Sequence, residues 1–138
     1  MKIDDNFYMK LAIDEAWKYQ FLTYPNPAVG CVIVKNGKLL VIEAHKEAGM
    51  PHAEVNALKA AYLLEYPNSI LKMKNSSQDI HTFLLENHNG YFNDCEIFVT
   101  LEPCNHIGKT PSCANLLKEL KPKRVIIAHE DINKLASG

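Results

Sequence analysis

Residues 29–44 read VGCVIVKNGKLLVIEA, two apolar runs on either side of the pair Asn36-Gly37. β-Branched residues crowd both runs, and Asn-Gly fits a two-residue type I′ turn, in which both central positions need positive φ. The stretch predicts a β-hairpin. Its first run, Val29 to Val34, is almost continuously apolar. That pattern predicts a strand covered on both faces rather than one with a wet side.

The flanking sequence offers helices to cover it. In residues 5–21, Met9, Ala12, Ile13, Ala16 and Trp17 recur at three- and four-residue steps, predicting an amphipathic helix whose stripe packs on the core. Asp4 or Asp5 is available as its cap. The prolines of TYPNPAVG (23–30) then mark a loop. After HKEAGMP (45–51), HAEVNALKAAYLL (52–64) predicts a second helix, with His52 and Glu54 on its opening turn. CEIFVTLE (95–102) reads as a strand, ANLLKEL (114–120) as a helix ending before Pro122, and KRVIIAHE (123–130) as a strand. The order α-β-β-α-β-α-β implies an α/β domain with a mixed sheet and helices packed against it. Residues 65–94 interrupt it and read as an insertion on the rim. They hold a short helix capped by Ser76 or Ser77 and running to about Asn87.

The bulk properties narrow the function classes. At 138 residues the chain is one ordinary domain, 1–138, able to bury a core without staples. Its net charge of −1 lacks the basic stripe expected of a nucleic-acid footprint. No run approaches the roughly 18 apolar residues of a membrane span, and the acidic N-terminal stretch is unlike a signal peptide. A cytoplasmic location follows by default, and thiols stay reduced there. A disulfide among Cys31, Cys95, Cys104 and Cys113 is disfavoured accordingly.

Two segments concentrate chemistry: His52-Ala53-Glu54, and EPCNHIGKTPSC at 102–113. Cys31 and Cys95 sit in apolar strands and read as buried thiols. Cys104 and Cys113 lie in polar, proline-rich surroundings, where metal ligation is the better account. With His52 they make three ligands of the kind zinc prefers, leaving a fourth position for water, as in catalytic rather than structural sites. Softness favours zinc, although iron fits such a donor set too. Glu54, two residues from His52, can reach that water without being a ligand. The pattern H-x-E followed by P-C-x-x-C marks zinc deaminases, and this sequence matches it except for eight residues between the cysteines.

With that spacing, HAEVNAL and TLEPCNHIGKTPSC resemble the deaminase domain of bacterial riboflavin biosynthesis, the diaminohydroxyphosphoribosylaminopyrimidine deaminase family. TYPNPAVGCVIVKNG, AHKEAGMPHAEVNALKAA and RVIIAHEDINKLASG resemble its blocks in the family's order, so the likeness covers most of the chain outside about 65–94. The resemblance implies a three-layer α/β/α cytidine-deaminase-like fold and one zinc ion per chain. It implies a hydrolase that removes the 2-amino group of 2,5-diamino-6-(5-phosphoribosylamino)pyrimidin-4(3H)-one as ammonia. Matching positions place zinc on His52, Cys104 and Cys113, with Glu54 as proton shuttle. Asn26, His45, His106 and Lys109 match positions that hold the small-molecule substrate. Those types suit a pyrimidine edge, a ribose and a phosphate.

Two rivals stand beside that reading: a deaminase of another nucleobase or of tRNA adenosine, and a non-catalytic zinc module. The first should show the shorter cysteine spacing and, for nucleic acid, more basic charge. The second should close four protein ligands round the metal. The family usually continues into a reductase domain, and the sequence stops at EDINKLASG. The expectation is a deaminase-only piece of a longer bifunctional protein. No dinucleotide motif lies in these residues, so no NADPH site is expected in them. By analogy with the fold, a dimer or larger assembly is expected.

Overall fold

Asn36 and Gly37 adopt φ of 52° and 80°, both left-handed, and close a hairpin between β1 (Gly30–Lys35) and β2 (Lys38–Ala44). The predicted turn is formed. In the computed structural model, residues 4–19, 29–46, 52–101 and 113–129 are described. β1 pairs antiparallel with β2 on one side and with β3 (Cys95–Leu101) on the other. β4 (Arg124–His129) lies parallel to β3, giving a mixed sheet in the order β2-β1-β3-β4. A parallel pair needs a crossover, which α4 (Cys113–Leu120) provides.

The apolar run of β1 is divided between two cores. Val32 and Val34, with Phe98, face α1 (Asp5–Trp17), where Ala12 is fully buried and Tyr8, Met9 and Leu11 pack round it. Cys31 and Ile33, with Ile97 and Val99, face the opposite layer, built from α2 (Ala53–Glu65), α4 and α3 (Ser77–Asn87). Helices therefore cover both faces, and the architecture is three-layer α/β/α as expected. Asp4 caps α1 by accepting from Phe7 N–H at 3.1 Å. The stripe is shorter than its periodicity suggested, because Trp17 at the helix end is 65% exposed. α1 rests directly on β1: a Cβ at Gly30 would stand 1.8 Å from the Ala12 carbonyl oxygen. No helix among the described residues is long and apolar enough to cross a membrane.

The segment 65–94 departs from the rim expectation. The predicted helix is present, capped by Ser76, whose hydroxyl accepts from Asp79 N–H at 3.1 Å. However, Ile80, Phe83 and Leu84 of α3 join Leu71 and Phe92 inside the main core. Their spacing puts one face of α3 against α2 and α4. Lys59 of α2 donates to the Lys74 carbonyl at 2.5 Å, and the Tyr91 hydroxyl to the Ala61 carbonyl at 3.0 Å, tying both ends of the segment to α2.

Truncating Leu84 to alanine should therefore cost about 2–5 kcal/mol in urea unfolding. Met73→Ala, in the same segment but 75% exposed, should stay within about 0.5 kcal/mol. Equal, small effects of both would mean that the segment is peripheral.

Candidate functional site

Register brings three strand ends to one edge of the sheet. Gly30 opens β1 opposite Ala44, the last residue of β2, and Cys31 pairs with Val99 near the end of β3. Gly30 N–H donates to Thr100 Oγ1 at 3.1 Å, a buried tie between β1 and β3 at that edge. The sheet leaves little freedom there.

α2 begins at this edge with His52 as its N-cap, in an extended conformation (φ −67°, ψ 165°). The imidazole makes no capping bond of its own. It turns instead toward the first residue of α4, and Nδ1 lies 3.5 Å from Cys113 Sγ. Without metal such a distance is a sulfur hydrogen bond. It is also the separation of two corners of one tetrahedral ion: bonds of about 2.3 Å to sulfur and about 2.05 Å to nitrogen put the two atoms roughly 3.6 Å apart. The two residues therefore fit a shared zinc ion. Two helix N-termini meet here, and their partial positive charge favours a thiolate and a carboxylate.

Glu54 follows on the first turn of α2 and is only 4% exposed, between the fully buried Ala53 and the buried Val55. A carboxylate so deep is rare unless it is engaged. Its charge is felt by Cys31 on the adjoining strand: burial first, then Glu54, then Glu43 push that thiol well above its ordinary value. Cys95 is likewise pushed up by burial, with Lys35 opposing and Asp94 adding. Both behave as the buried thiols expected.

His45 follows β2 directly and is 3% exposed. Its ring meets that of His52 edge to face, with centroids 5.2 Å apart and planes at 88°. Of the residues singled out from sequence, His52 thus meets both Cys113 and His45, which come from separate stretches, while Glu54 lies buried two residues further along the opening turn of α2. Asn26, Cys104, His106 and Lys109 lie outside the described residues. Among the described residues alone, no group of three metal-binding side chains is assembled. Sequence reasoning passed over Asn56 and Thr100, which brace this edge through backbone groups. The signal for Asn56 was its position, one turn beyond His52 and on the same helix face.

The model of the zinc-binding region of cytidine and deoxycytidylate deaminases matches residues 2–129. The chain belongs to this family. Its relatives include the riboflavin biosynthesis protein RibD of Aquifex aeolicus, 39% identical over 137 residues, which cover 99% of this chain and 31% of that protein. The diaminohydroxyphosphoribosylamino-pyrimidine deaminase of Buchnera aphidicola subsp. Acyrthosiphon pisum is 40% identical over 136 residues, 99% of this chain and 74% of that protein. The chain thus spans about a third of the Aquifex relative and about three quarters of the Buchnera one. Among solved structures, the Thermotoga maritima deaminase/5-amino-6-(5-phosphoribosylamino)uracil reductase superposes with a TM-score of 0.73 at 32% identity. It covers 97% of this chain and 32% of its own. This deaminase domain has the fold its relatives have.

The raised Cys31 thiol gives a direct check on the burial of this edge, and Cys95 on that of the opposite one. A thiolate, not a thiol, is the nucleophile, and a raised pKa keeps the thiol neutral to higher pH. Iodoacetamide at pH 8 should leave Cys31 and Cys95 unlabelled in the folded chain and label both in urea, as read by peptide mass spectrometry. Labelling of folded Cys31 would contradict its place beneath Glu54.

Proposed function

We propose that this domain hydrolyses 2,5-diamino-6-(5-phosphoribosylamino)pyrimidin-4(3H)-one to 5-amino-6-(5-phosphoribosylamino)uracil and ammonia, in riboflavin biosynthesis. The observation that carries the reading is the approach of His52 Nδ1 to Cys113 Sγ at 3.5 Å, on the turn that buries Glu54. The substrate is supported by the deaminase names of the two Buchnera relatives and by the riboflavin biosynthesis name of the Aquifex one, all of which match nearly the whole chain.

His52, Cys113 and Cys104 are the proposed ligands of one zinc ion. Bound there, zinc supplies Lewis acidity that makes a water molecule acidic near neutral pH. Glu54 is the proton carrier. It accepts one proton from the attacking water as the oxygen bonds to C2 and passes it to the ring nitrogen, then takes the second from the new hydroxyl and passes it to the leaving amine. The C2–N bond breaks and ammonia departs. A buried carboxylate at a helix N-terminus suits that work, because bulk water competes little there. His45, beside His52, forms a wall of the pocket and contacts substrate; Asn26, His106 and Lys109 complete the grip on ribose and phosphate. In a longer chain, a reductase of the kind named in the Thermotoga protein would take the product onward. An oligomer in the cytoplasm completes the picture.

Glu54→Gln should retain zinc and fold while kcat falls by about 10²–10⁴, the usual worth of a positioned acid–base group. Cys113→Ala should lose the metal by elemental analysis. Unchanged turnover in Glu54→Gln would remove Glu54 from the chemistry, and full zinc in Cys113→Ala would remove Cys113 from the ligand set. Ammonia release should be fastest with the phosphoribosylaminopyrimidine. Faster turnover of cytidine, guanine or a tRNA anticodon stem-loop would overturn the substrate assignment.

A further inference from the structure

The peptide unit joining Ala44 to His45 is held at both of its polar ends. The His45 N–H donates to the Val29 carbonyl at 3.0 Å, continuing the sheet one step past the last strand pair. The Ala44 carbonyl accepts from Asn56 Nδ2 at 2.8 Å. Asn56 is on α2, and its own N–H donates to the His52 carbonyl at 3.0 Å. One side chain therefore links the helix turn that carries His52 and Glu54 to the backbone that carries His45.

We propose that Asn56 is the positioning residue for His45. A ring placed at the end of a strand can pivot about the backbone that bears it. With the Ala44–His45 plane pinned by β1 on one side and by α2 on the other, that pivot is closed. The His45 ring then stands edge-on to His52 at 5.2 Å, so the wall it forms is fixed relative to the proposed zinc ligand. No hydrophobic side chain could do the same, because the Ala44 carbonyl needs a donor reaching across from the helix. The role rests on His45 contacting substrate as described above, and it concerns binding rather than the bond-breaking step. The role proposed for Asn56 lies in its bond to the Ala44 carbonyl.

The test uses the full chain with zinc and a double-mutant cycle between Asn56→Ala and His45→Ala. Alanine is the best helix former, so the variant should fold; Asn56→Asp, which keeps the shape and loses the donor, serves as a second probe. Calorimetric titration with 5-amino-6-(5-phosphoribosylamino)uracil should show about tenfold weaker binding in Asn56→Ala. KM should rise in step, with kcat and zinc content nearly unchanged. In the His45→Ala background the same substitution should have almost no further effect. Equal losses in both backgrounds, or no loss in either, would overturn the proposal. Should wild type neither bind this product nor release ammonia from the pyrimidine, the functional reading fails instead. The positioning role is then decided by NMR, where the His45 ring resonances should move in Asn56→Ala; unmoved resonances would refute it.

Discussion

Strand β1 has to be dry on both faces, and much else follows from that requirement. Val32 and Val34 need cover on one side, Cys31 and Ile33 on the other. A single helical layer cannot satisfy both, so α1 closes one face and α2 with α4 the other. Gly30 lets α1 come down onto the strand without a side chain between them. Because β1 is antiparallel to both neighbours, its start lies beside the ends of β2 and β3. The chain leaves those strands toward α2 and α4 at that same edge. A constraint on burial thereby becomes an arrangement of helix N-termini.

That arrangement explains the electrostatics of the site. His52 caps α2 and Cys113 opens α4, so the positive ends of two helices converge where the Cys113 sulfur and the Glu54 side chain lie. Below them lies Cys31, whose thiol is kept neutral by burial and by the charge of Glu54. The neutral sulfur is a compact filler under a charged group and adds no second negative charge. Thr100 and Asn56 then spend their polar groups on backbone atoms of Gly30 and Ala44, which fixes the strand ends against each other. Those two side chains, rather than His52 or Cys113, make these ties.

The segment between α2 and β3 has a different role. Its short α3 and the turn around Phe92 extend the core beyond the sheet, so α2 is gripped along its length and not only at its His52 end. Hydrogen bonds from Lys59 and Tyr91 to carbonyls across the contact complete the grip. A helix whose first turn must hold an imidazole and a carboxylate in register benefits from such support at its far end.

Much of this was legible in the chain itself, because local signals are written in neighbouring residues. Asn36-Gly37 specified the hairpin, the Ser76 cap specified α3, and the H-x-E spacing marked the opening turn of α2. The unbroken run from Val29 to Val34 even announced that two layers would be needed. The sequence failed on which apolar residues would be covered: Trp17 fits the stripe of α1 yet ends up exposed, while Leu71 and Phe92 lie deep in a segment that looked peripheral. Burial depends on what packs opposite, and no periodicity records that. The meeting of His52 with Cys113, 61 positions apart in sequence, and the reach of Asn56 to the Ala44 carbonyl belong to tertiary structure in the same way. Sequence named the residues capable of the chemistry; only the register of β1 with its neighbours decided that they share one edge.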